Sequence, residues 1–187
     1  MRSVFTIGHS TRTIPEFAVI LDNAGVELVV DVRTVPRSRT NPQYNEQALP
    51  AELEPFGISA LRIAELGGLR SRSHDVPPAL NGWWQNRSFH NYADYALSES
   101  FADGLAALVA SADQRPTAIM CSEAVWWRCH RRIIADYLLI GGREVFHLMG
   151  GGRIEPASLT AGAEPRDGKL IYPEPVEARA AQLEAQS

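Results

Sequence analysis

A chain of 187 residues with 45% hydrophobic and 21% charged positions is long enough for one domain with a substantial core and too short for two ordinary ones. Its net charge of −4 argues against coating nucleic acid by bulk charge and leaves room only for a local basic patch. No apolar run approaches the ~20 residues that span a bilayer, so the expectation is a cytoplasmic protein with no membrane partner, whose two cysteines are reduced thiols rather than a disulfide framework.

The first elements read as a βαβ unit. Residues 3–7, SVFTI, form a β-rich run that ends at Gly8, His9 and Ser10. Residues 13–25 carry a helix: Thr13 and Glu16 match a capping box, Phe17, Ile20, Leu21 and Ala24 share one face, and Gly25 supplies the stop. Residues 27–32, ELVVDV, have the continuous β-branched character of a strand covered on both faces. An irregular loop follows over 33–45, then a short helix over 50–56 and a third strand over 58–64 that ends at Glu65, Leu66, Gly67 and Gly68. Residues 69–91 are polar and turn-rich but contain Trp83, Trp84 and Phe89, which suits a lid or an insertion.

A helix over 92–112 places Phe101, Leu105, Leu108 and Val109 on one side, and Pro116 closes the connection to a fourth strand, Thr117–Cys121. The next helix is expected over 124–140, with Ile133, Ile134, Tyr137 and Leu138 as its apolar stripe, followed by a fifth strand over 144–148 and the run Gly150, Gly151, Gly152. That glycine run has neither the spacing nor the following helix of a dinucleotide fingerprint. The pattern predicts an α/β fold: a single domain over 1–152 with a mainly parallel five-stranded sheet and helices on both faces. Residues 153–187 form a C-terminal extension, expected to hold a small hairpin around Ile154 and residues 170–172 and a frayed helix over 177–186.

In such sheets ligands bind beyond the carboxyl ends of the strands. The chain places His9 and Ser10, Asp31 and Arg33, Glu65 with Gly67 and Gly68, Cys121 with Ser122 and Glu123, and His147 at those ends, which predicts a polar pocket. A Cys that closes a strand before a helix can have its thiolate stabilised by backbone N–H groups and the helix dipole. The same loop suits a phosphate or carboxylate. Cys121 is therefore expected as nucleophile or redox thiol, with Cys129 in the following helix as a packing residue or second thiol. Asp31 and Arg33 have a simpler reading as a local ion pair that orders the loop.

The pieces TIGHS at 6–10, DVR at 31–33 with PRSR at 36–39, ELGG at 65–68, and CSE with CHR across 121–131 resemble the bacterial and archaeal family known as domain of unknown function 488. The resemblance runs from about residue 6 to 148 and implies an α/β domain whose activity is not established. The motif positions it marks in this chain include Ser38, Gly67, Gly68, Cys129, His130 and Arg131. The chain is more loosely similar to rhodanese and Cys-phosphatase domains. Phosphatase spacing, however, would put an arginine where Trp127 stands, and Glu123 in the loop would repel a phosphate dianion.

The expected function is binding of an anionic small molecule or nucleotide at a Cys-centred site, with thiol-dependent hydrolase or transferase chemistry. Cys121, Glu123, His130 and Glu65 are the catalytic candidates. His9, Ser10, Asp31, Arg33, Ser38, Gly67, Gly68, Cys129 and Arg131 are the ligand-binding ones. No cofactor is required by this reading. Two alternatives stand beside it. In one, Arg33, Arg37, Arg39, Arg62, Arg70 and Arg72 with Trp83 and Trp84 make a basic groove for nucleic acid or a nucleotide, and the cysteines are structural. In the other, His9, Cys121, Cys129 and His130 hold zinc or iron.

Overall fold

Five parallel strands pair in the order β3-β2-β4-β1-β5, where β1 is Val4–Gly8, β2 Leu28–Asp31, β3 Ser59–Arg62, β4 Thr117–Cys121 and β5 Val145–Gly150. The computed structural model describes residues 1–175. A sixth strand, β6 (Arg153–Pro156), lies antiparallel against β5, so the sheet is mainly parallel and six-stranded rather than five-stranded. The missed strand follows from the glycine run. Gly150, Gly151 and Gly152 have φ of 92, 60 and 74°, left-handed values that only glycine adopts freely, and they turn the chain back onto β5. The strand itself, RIEP, has one apolar residue and no alternation to betray it.

Each buried strand serves two layers. Along β2, Leu28 and Val30 face one core cluster and Val29 the other, and every residue of the strand is buried. One face is covered by α1 (Ile14–Asp22) and α2 (Leu49–Leu53), which pack Phe17, Leu21 and Leu53 with Tyr44 against Ile7, Val29 and Met120. The other is covered by α3 (Arg87–Tyr95), α4 (Glu99–Gln114) and α5 (Arg131–Ile140), whose Phe101, Leu108, Ile133 and Leu138 meet Val30 and Ile119. The capping box forms as expected: Thr13 Oγ1 accepts from the Glu16 N–H, and the Glu16 carboxylate accepts from the Thr13 N–H at 2.7 Å.

Three expected elements differ. The helix over 92–112 is two helices, because Ser98 caps α4 by accepting from the Phe101 N–H and breaks the register after Tyr95. The helix expected from 124 begins at Arg131. A single 3-10 turn, Trp126–Arg128, precedes it, so Cys129 and His130 stand ahead of the helix rather than inside it. Residues 69–91 are anchored rather than loose: Trp84 is buried, stacks on Phe89 at 4.7 Å and touches Tyr172.

The hairpin in the C-terminal part pairs β7 (Glu164–Arg166) with β8 (Lys169–Ile171), while Ile154 pairs with Leu148 in the main sheet. Leu170 and Tyr172 are fully buried in the core, so residues 153–172 pack with the rest of the domain. The helix expected over 177–186 lies outside the described residues. Among the described residues no helix is long and apolar enough to cross a membrane.

Candidate functional site

The connections leaving β2 and β4 run to opposite faces of the sheet, which opens a crevice between the ends of these neighbouring strands. A cavity of about 270 Å³ lies there, lined among others by Arg33, Gly68, Phe89, Cys121, Glu123, Arg128, Cys129 and His130. Cys121 is the last residue of β4, level with Gly8 of β1. Cys129 follows the 3-10 turn, and His130 is the residue before α5.

These three side chains converge. His130 Nδ1 lies 3.6 Å from Cys129 Sγ and 4.0 Å from Cys121 Sγ, and its Nε2 is 2.9 Å from the Val32 carbonyl oxygen. A carbonyl only accepts, so Nε2 carries a proton, and Nδ1 faces the sulfurs. Gly68 makes this placement possible: a Cβ there would stand 2.3 Å from His130 Nδ1.

Arg131 decides the charge of the cluster. It is 1% exposed. Its Nε donates to Cys129 Sγ at 3.3 Å, Nη2 donates to the Glu123 carbonyl at 2.6 Å, and Nη1 to Thr6 Oγ1 at 3.5 Å. Among the described residues no carboxylate lies within ion-pair distance of it. A guanidinium cannot shed its proton, and a buried charge without a counter-charge costs several kcal/mol. The sulfur that it reaches is Cys129 Sγ. Burial opposes ionisation of Cys129, but the contact with Cys121 and the hydrogen bond and charge of Arg131 outweigh it and hold its pKa below the usual thiol value. The partner sulfur moves the other way: its contact with Cys129 and its burial push the Cys121 thiol up. The expectation from sequence made Cys121, at the strand end, the activated thiol; the structure sets Arg131 against Cys129 instead. The positive group beside a sulfur is Arg131, which follows Cys129 by two residues.

The remaining expected site residues divide. Arg33, Gly68, Cys121, Glu123, Cys129 and His130 line the cavity. Asp31 and Arg33 form the local ion pair, at 2.6 Å and buried on both sides. His9 joins that pair rather than the sulfurs, stacking on Tyr44 at 4.1 Å, with Nδ1 2.8 Å from the Ser10 carbonyl oxygen and Nε2 3.2 Å from Arg33. Burial pushes its pKa down to about 4, so it is neutral at pH 7. Ser10 backs the Ser122 carbonyl through its N–H. Ser38 orders its own loop, accepting from the Asn41 N–H. Gly67 packs on Thr34. Glu65, expected among the catalytic residues, is exposed, lies against α4 and does not line the cavity.

Three of the six arginines of the expected basic groove, Arg33, Arg62 and Arg70, make internal contacts. Arg62 meets Glu46 at 3.2 Å, and Arg70 covers the Tyr95 ring and donates to the Ala64, Glu65 and Gly67 carbonyls. Arg37, Arg39 and Arg72 are exposed. Sequence reasoning did not place Thr34, Val35, Leu69 or Ser88 on the cavity wall, and it treated Phe89 only as a lid aromatic. An aromatic in an otherwise polar segment was the one signal available for that side of the wall.

Neither the curated proteins nor the solved structures contain a match to this chain. The sequence model of the family described as "Domain of unknown function DUF488" matches residues 13–138. The match covers the second and third strands, the cavity wall and the whole Cys121-to-Arg131 segment, and leaves out His9 and Ser10. The chain belongs to the DUF488 family.

Proposed function

We propose that the cavity binds a small anionic molecule and that the Cys129 thiolate is its reactive group, in a thiol-dependent transferase or hydrolase. The observation that carries this reading is the buried Arg131, whose compensating charge is a sulfur that lines the cavity. Cys121 is the neighbouring neutral thiol, and His130 presents Nδ1 to both sulfurs. Arg128, exposed on the cavity wall and without a side-chain partner among the described residues, supplies attraction for a negative group. Glu123 on the same wall is the one carboxylate placed to move a proton. A volume of about 270 Å³ suits a metabolite or one nucleotide group rather than a stretch of nucleic acid.

The test uses two alkylating agents of similar size on chelator-treated protein. Iodoacetate, an anion, is expected to label Cys129 at least several-fold faster than neutral iodoacetamide does, with the site identified by peptide mass spectrometry. Arg128→Ala is expected to remove the preference. Labelling confined to Cys121, or faster labelling by the neutral reagent, overturns the reading.

A further inference from the structure

We infer that Cys121, Cys129 and His130 form a three-ligand site for zinc, with the fourth coordination position opening into the cavity. The three ligand atoms lie within 4.8 Å of one another. In a tetrahedral zinc site with Zn–S near ~2.3 Å and Zn–N near ~2.05 Å, sulfur and nitrogen stand roughly 3.6 Å apart and two sulfurs roughly 3.8 Å apart. His130 Nδ1 already sits 3.6 and 4.0 Å from the two sulfurs, so small side-chain rotations complete the tetrahedral face.

The surroundings supply what such a site needs beyond its ligands. The Val32 carbonyl holds His130 Nε2–H at 2.9 Å, which fixes the tautomer that leaves Nδ1 free to ligate, a support that metal-bound histidines usually have. The Arg131 guanidinium donates to Cys129 Sγ and offsets the negative charge of two thiolates. Two thiolates and a neutral imidazole suit zinc better than magnesium or calcium, which take oxygen ligands. Three protein ligands with one open position are the pattern of a reactive rather than a purely structural centre. His9, the fourth ligand expected from sequence, is held by Ser10 and Arg33 and takes no part. The fourth position rests on the reading of the cavity as a ligand site; the three protein ligands do not.

The experiment titrates chelator-stripped, reduced protein with cobalt(II) and then zinc. One equivalent of cobalt is expected to give thiolate-to-cobalt charge-transfer absorption, which zinc abolishes by displacement. Cys121→Ser, Cys129→Ser and His130→Gln are each expected to weaken binding at least tenfold. In the unmodified chain, where folding is not at issue, one equivalent of zinc is expected to slow iodoacetate labelling of Cys129 at least tenfold. Absence of the charge-transfer band, or unchanged affinity in His130→Gln with unchanged labelling under zinc, overturns the site. If zinc fails to bind but iodoacetate still prefers Cys129, the metal inference falls alone. If zinc binds and the iodoacetate preference is absent, the thiolate–anion reading falls and the metal site stands.

Discussion

Arg131 reaches one of the two sulfurs, Cys129, and on the proposed reading the two carry each other's charge, which makes two otherwise similar residues unequal. Removing one buried sulfur ordinarily costs about 1 kcal/mol. Cys121→Ala, which removes a neutral thiol, is expected to cost about that much. Cys129→Ala leaves a guanidinium buried without a counter-charge and is expected to cost roughly 3 kcal/mol or more. Urea unfolding of both variants in chelator gives the comparison, and equal midpoints would show that Cys129 is not the anion. The sequence marked both cysteines and Arg131 as site residues and took Cys121, from its strand-end position, as the activated thiol, whereas Arg131 reaches Cys129. Position at a strand end is visible in a sequence, whereas which sulfur a buried arginine reaches depends on the 3-10 turn that sets Cys129 ahead of the helix.

At the scale of elements, the site is an encounter between the loop after β3 and the entrance of α5. Gly68 lies on the first and His130 on the second, and a Cβ at Gly68 would overlap the imidazole ring at 2.3 Å. Gly68→Ala is expected to displace His130 from Val32 and the sulfurs, at a stability cost of ~1–3 kcal/mol. The diagnostic readout is the imidazole itself, whose NMR shifts are expected to move, and an unchanged His130 spectrum would contradict the close approach. Elements with strong local signals were legible: the capping box of α1 and the apolar runs of β2 and β4 all stand where the sequence put them. The split of the 92–112 helix and the late start of α5 were not, because apolar periodicity continues across a break that only Ser98 or the 3-10 turn enforces.

At the scale of the molecule, the α/β architecture, a sheet with helices on both faces, was readable from the alternation of elements. The sixth strand and the burial of Tyr172 were not, since they depend on the glycine turn and on contacts distant in sequence. Two histidines buried in this architecture set its response to acid. Burial lowers His9 and His147 to about 4, while in the unfolded chain each titrates near ~6.5. Below ~6.5 the unfolded chain binds protons that the folded one refuses, so stability is expected to fall as pH drops from 6.5 toward 4, by up to about 1.4 kcal/mol per unit for each histidine. Urea midpoints at pH 6.5 and 5, above the range where most carboxylates titrate, check this. His147→Phe is expected to flatten the slope, and an unflattened slope removes His147 from the account.

The strand order also has a consequence for how the chain comes together. β1 is made first yet sits between β4 and β5, with Val4 opposite both Thr117 and Val145. Neither of its edges can be paired until synthesis has reached those residues, so the nascent chain carries an apolar strand, VFTIG, exposed on both sides for most of its length. Pairings this distant in sequence make folding slow and leave early chains prone to self-association. The βαβ unit at the N-terminus, for all the clarity of its pattern, cannot finish folding by itself: its two strands are separated in the sheet by β4, the strand that ends in Cys121.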